Sequence, residues 1–175
     1  MAKQGRLIIV DDNKGILSAV KLLTEKHFAS VITLASPNML ISELRLQRAD
    51  VVLLDMNFTA GINSGNEGLY WLKQVVEKFP ETKVVLFTAY ADIDLAVKSM
   101  QFGAVDFVVK PWDNDRLIAS LRNAYNMSQG ENRKRKKESN ARDEVPMFWG
   151  QSEAMSKVRD IVDKVATTDA NILIT

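Results

Sequence analysis

A chain of 175 residues with 46% hydrophobic content has the apolar material for one full core and a fragment beyond it. Its formal charge of +1 gives no bias toward nucleic acid or anionic membrane, and without cysteine it has no disulfides, thiolate chemistry or cysteine-held zinc. No signal-type stretch opens the chain and no apolar run approaches the roughly 20 residues of a membrane span, so a cytoplasmic protein with no membrane partner is expected.

The first apolar run, Leu7-Ile8-Ile9-Val10, leads straight into Asp11-Asp12. A helical pattern over residues 14–28 follows, then a strand over 31–34. Ser36-Pro37 places a capping hydroxyl ahead of a proline and predicts a helix over 37–48. Val51-Val52-Leu53-Leu54 ends on Asp55, and a helix is predicted over 66–79. Val84-Val85-Leu86-Phe87 runs into Thr88, before a helix over 92–102 with Asp92 as its cap. The last strand, 105–109, delivers Lys110-Pro111, and Asp113 caps a helix over 113–128. Short β-branched runs separated by helices read as parallel strands buried on both faces, in a doubly wound α/β sheet with right-handed crossovers.

Beyond that helix the composition changes. Gly130 interrupts the pattern, and residues 131–144 are almost devoid of apolar side chains while holding Arg133-Lys134-Arg135-Lys136-Lys137. This segment reads as a charged linker or an exposed helical extension. The basic run lacks interleaved aromatics and is flanked by Glu131, Glu138, Asp143 and Glu144, which favours a solvated linker over a phosphate-binding arm. The single histidine, His27, lies at a helix end and reads as structural. From residue 147 the apolar pattern resumes, with Ser152 able to cap a helix bearing Met155, Val158, Ile161, Val162 and Val165 on one face.

Ligands of such sheets gather outside the carboxyl ends of the strands. There the chain brings Asp11, Asp12, Asp55, Thr88 and Lys110, a set suited to a hard cation and a phosphoryl group. Mg²⁺ prefers oxygen ligands, and Asp12 and Asp55 are the expected direct donors, with Asp11 acting through water and the backbone carbonyl of Asn57 adding another oxygen. A carboxylate beside the cation can attack a phosphoryl group, and Asp55 is the expected nucleophile. Lys110 would neutralise the phosphoryl charge while the Thr88 hydroxyl donates to one of its oxygens.

The motifs Val10-Asp11-Asp12, Leu53-Leu54-Asp55, Thr88-Ala89 and Val109-Lys110-Pro111 make residues 6–128 resemble the receiver domain of bacterial two-component response regulators. The resemblance implies a flavodoxin-like (CheY-like) five-stranded sheet in the order 2-1-3-4-5. It also implies Asp55 as phospho-acceptor from the histidine of a partner sensor kinase, and Mg²⁺ held by the acidic residues. Thr88 and Lys110 become the phosphoryl sensors, Phe107 the aromatic that turns inward, and the Lys110–Pro111 bond is cis, as proline permits. The segment from Asn57 to Gly68 is longer than usual and lacks the family's proline, so it should be mobile and, with Tyr90 as a shield, tune the lifetime of the acyl phosphate.

The tail from Phe148 to Thr175 resembles the opening of the AAA+ domain of NtrC-type activators of sigma-54 RNA polymerase. Three parts are therefore expected: a receiver at 1–128, a linker at 129–146 and an AAA+ fragment at 147–175. No G-x-x-x-x-G-K-[ST] motif is present, so no ATPase activity is expected of the chain itself. Polymerase and DNA would be reached only through domains missing here. The family also implies a phosphorylation-dependent homodimer through the fourth helix, fifth strand and fifth helix, extended by the linker. The rival reading is a Mg²⁺-dependent aspartyl-phosphate phosphatase or phosphotransferase. Such enzymes place a second aspartate two residues past the nucleophile, where this chain has Asn57.

Overall fold

The computed structural model describes residues 3–58, 66–89 and 93–143, with residues 66, 93, 94 and 134–143 described by backbone alone. The chain divides into compact units Met1–Lys136 and Lys137–Thr175, and the fold below is that of the first. The AAA+-like segment from residue 147, the cap at Asp92, Tyr90 and most of the long loop lie outside the described residues.

Five parallel strands, β1 (Arg6–Val10), β2 (Ser30–Leu34), β3 (Val51–Asp55), β4 (Lys83–Thr88) and β5 (Asp106–Val109), form one sheet in the order β2-β1-β3-β4-β5. This is the flavodoxin-like arrangement the motifs imply. Helices α1 (Lys14–Thr24), α2 (Leu40–Leu46), α3 (Asn66–Lys78), α4 (Ile93–Gln101) and α5 (Asn114–Asp143) connect the strands and follow them.

Strand alternation sorts the core into two layers. Ile8, Val10, Val52, Leu54, Val84 and Leu86 pack with Leu40 and Leu44 of α2 and with Leu72 and Val75 of α3. Their neighbours Leu7, Ile9, Val51, Leu53, Val85 and Phe87 point the other way, onto Leu17 and Val20 of α1 and Leu117, Leu121 and Ala124 of α5. Every residue of β3 is buried, as a central strand with both faces covered requires. The edge strand β2 is only half-buried throughout, so two-sided burial does not extend to it.

Several element boundaries depart from the sequence reading. Helix α1 stops at Thr24, whose hydroxyl bonds back to the Val20 carbonyl at 2.7 Å while its own carbonyl accepts from His27 and Phe28. That turn drops Phe28 into the core. Pro37–Met39 forms a 3₁₀ turn ahead of α2, with Ser36 Oγ accepting from Asn38 at 3.3 Å. Gly130 does not end the last helix: α5 continues through it to Asp143. A glycine in a helix interior weakens it by only about 1 kcal/mol, and the side chains on either side of it reach partners on the sheet. Gln129 donates to Asp50 Oδ1 at 2.8 Å, and Glu131 pairs with Lys83 at 2.6 Å.

Candidate phosphoryl site at the strand ends

The register sets the site. Val10 lies beside Leu54, Asp55 beside Phe87 and Thr88 beside Val109, so the residues ending or following β1, β3, β4 and β5 meet at one edge of the sheet. The ladder continues past the strands through Asp11 N–H to Leu34 at 3.1 Å, Met56 N–H to Phe87 at 3.0 Å and Lys110 N–H to Thr88 at 2.6 Å. Backbone bonds on these residues hold the functional side chains in place.

Asp11, Asp12 and Asp55 each present a carboxylate oxygen within 4.8 Å of the others. Asp11 is fully buried, with Oδ1 accepting from Asn13 N–H at 2.9 Å and Oδ2 from Lys110 Nζ at 2.6 Å. Lys110 Nζ also donates to Asp55 Oδ1 at 2.9 Å, so one ammonium bridges two buried carboxylates. Asp12 stays exposed and opens the site to solvent. Asn13, next along, caps α1 by accepting from Gly15 and Ile16 N–H at 2.9 and 3.2 Å. The Lys110–Pro111 bond is cis.

Burial pushes the Asp55 carboxyl up to about 6. The Lys110 charge and hydrogen bond pull it back down, the Asp11 charge raises it again, and a backbone hydrogen bond from Met56 lowers it. Three acidic groups with one ammonium leave a surplus of negative charge. This oxygen-only donor set, open on the Asp12 side, fits a hard divalent cation that keeps some of its waters.

The remaining site candidates are distributed as follows. Thr88 is fully buried at the end of β4. Asn57 is half-buried in the segment leaving Asp55, and the adjacent Phe58 N–H donates to Glu67 Oε2 at 3.1 Å. Phe107 is half-buried and packs against the α2–α3 layer. His27 Nδ1 lies 3.0 Å from Arg122 Nη2, and burial, then Arg122, then Lys26 hold the imidazole below its ordinary value. Sequence reasoning missed one neighbour: the ring of Phe87 lies 4.7 Å from Lys110 Nζ. A strand residue one before the threonine looks like ordinary core, and only the direction of the lysine reveals the contact.

The sheet order and this cluster of strand-end groups define a doubly wound α/β protein with an acidic site at its strand ends, and comparison with known proteins gives it a family. The sequence model of the response regulator receiver domain matches residues 7–122, and the chain belongs to that family. It is 55% identical to the N-terminal signal receiver domain of a two-component system response regulator from Bacteroides fragilis, with a TM-score of 0.63, covering 70% of this chain and 98% of that one. It is 34% identical over 172 residues to the alginate biosynthesis transcriptional regulatory protein AlgB of Pseudomonas aeruginosa, covering 98% of this chain and 37% of AlgB. NtrX from Brucella abortus aligns over 97% of this chain and 36% of its own, at 25% identity and a TM-score of 0.66. The chain thus spans little more than a third of the length of such relatives.

Proposed function

We propose that this chain is a phosphorylation switch of a two-component system, in which Asp55 accepts a phosphoryl group from the phosphohistidine of a sensor kinase. The observation that carries the reading is the Lys110 ammonium bridging Asp11 and Asp55 with Asp12 alongside. Asp55 Oδ attacks phosphorus, the bond from phosphorus to the imidazole nitrogen breaks, and the histidine leaves with the electron pair and takes up a proton. Lys110 then exchanges its contact with the Asp55 carboxylate for a phosphoryl oxygen, and the Thr88 hydroxyl donates to another. Asp11, Asp12, Asp55 and the Asn57 carbonyl would hold Mg²⁺, which when bound offsets the negative charge that gathers at phosphorus. Phe107, one strand from Thr88, follows the threonine inward and alters the α4–β5–α5 face, where a second copy docks.

The kinship with longer transcriptional regulators supports a place ahead of an output ATPase. In this reading residues 1–128 are the receiver, 129–146 the linker and 147–175 the start of an AAA+ domain of a sigma-54 activator, at work in the cytoplasm. Tyr90 and the loop after Asn57 set the phosphoryl lifetime. The test is intact mass after incubation with Mg²⁺ and a small acyl phosphate. One phosphoryl adduct is expected, absent in Asp55→Asn; a chain that gains none removes the proposal. Light scattering of both states reads the dimer.

A further inference from the structure

Lys110 reaches the site on a long flexible side chain whose rotamer freedom must be given up for its ammonium to meet both carboxylates. The same ammonium also lies over an aromatic face. Phe87, paired in register with Asp55 and only 1% exposed, places its ring centroid 4.7 Å from Lys110 Nζ. The ring is itself braced: Trp112 meets it edge-on, with centroids 5.1 Å apart and planes at 62°. Trp112 in turn donates its Nε1–H to Asn114 Oδ1 at 3.1 Å, on the first residue of α5.

We infer that Phe87 is a positioning residue for phosphoryl acceptance: its π face, braced by Trp112, holds the Lys110 ammonium at the point where Asp11 and Asp55 meet. The inference rests on the receiver reading above. A leucine at this position would keep the core apolar but would set hydrocarbon against a cation, which has nothing to offer it. The aromatic quadrupole attracts the ammonium instead, and with the Lys110 side chain only 13% exposed the attraction is little weakened by water. The ammonium is then held beside Asp55 before the phosphoryl group arrives, so only a short shift of contact remains for the reaction itself. Through Trp112, the same ring links the site to the beginning of α5.

Ring-fluorinated phenylalanines placed at position 87 test this, because they keep the shape of the ring while draining its π face. With Mg²⁺ and acetyl phosphate, the initial rate of adduct formation should fall stepwise with fluorine content, reaching about two- to fivefold for the most fluorinated ring. Phe87→Leu should fall to a similar level, and the melting temperature across the fluorinated series should stay constant. Equal rates across the series would overturn the inference. If the parent chain takes up no phosphoryl group, the receiver reading fails, and nuclear magnetic resonance of the Lys110 ε-methylene protons decides the positioning role alone. An upfield ring-current displacement that disappears in Phe87→Leu supports it; undisplaced protons in the parent chain overturn it.

Discussion

Gly68 and Met56 meet backbone to backbone: the Gly68 N–H donates to the Met56 carbonyl at 3.1 Å, and a Cβ on Gly68 would stand 2.6 Å from Met56 Cα. This approach seats the first turn of α3 against the residue that follows Asp55. Neither partner can yield without moving backbone, so Gly68→Ala should destabilise the fold by about 1–3 kcal/mol. Urea denaturation reads the loss as a lower midpoint at constant slope. An unchanged midpoint would mean that α3 can move off the strand freely.

Asp55 carries a carboxyl raised from 3.8 to about 6. Between those values the folded chain keeps a proton that the unfolded chain has lost, so stability falls as pH rises through them. The ceiling on this effect is ~3 kcal/mol, and hydration through the mouth beside Asp12 reduces it to about 1–2 kcal/mol. Without divalent ions, Asp55→Asn should therefore be the more stable protein at about pH 7, with the advantage fading toward about pH 4. Thermal melting across that range checks it; an advantage independent of pH would contradict the titration account.

A cation in the acidic cluster competes with that same proton. Mg²⁺ should raise the melting temperature at about pH 7.5, and its apparent affinity should weaken about tenfold by about pH 5 as Asp55 becomes protonated. Asp12→Asn, at the exposed member of the cluster, should weaken binding at every pH while leaving the fold intact. Titration calorimetry at two pH values distinguishes these outcomes from a site insensitive to both changes.

At the opposite end of the sheet, Asp50 accepts from Arg6 N–H at 2.8 Å and from Gln129 Nε2 at 2.8 Å. Asp50→Ala leaves both donors without their acceptor and should cost about 1–3 kcal/mol, whereas Gln129→Ala should cost about 1 kcal/mol. A chain ended at residue 128 should lose at least as much as Gln129→Ala. Chemical denaturation of the three measures this, and equal stability of all would mean that the contact adds nothing.

The alternation of strands and helices and the placement of the acidic residues were legible because four apolar runs each end on a chemically distinctive side chain, and the strand order followed from the receiver resemblance that those side chains carry. Val10, Leu54, Phe87 and Val109 mark those ends, and parallel pairing brings them level. The path of α5 was harder to read. Gly130 and five consecutive basic residues look like an interruption, because pattern alone does not reveal Asp50 and Lys83 waiting on the sheet for Gln129 and Glu131. The same holds for Phe87, whose second role depends on where a lysine more than twenty positions later points its ammonium. Local pattern predicts what a residue can join; it does not name a partner that arrives from another strand.

Asp50 immediately precedes β3 and Asp55 ends it, five residues apart along a path of about 17 Å. One carboxylate belongs to the acidic cluster and the other anchors α5 through Gln129. Between them runs a fully buried rod with no loop, no glycine and no solvent-facing side chain to absorb a displacement. The distance from the acidic cluster to the point where α5 is moored is therefore fixed by a single stretch of backbone.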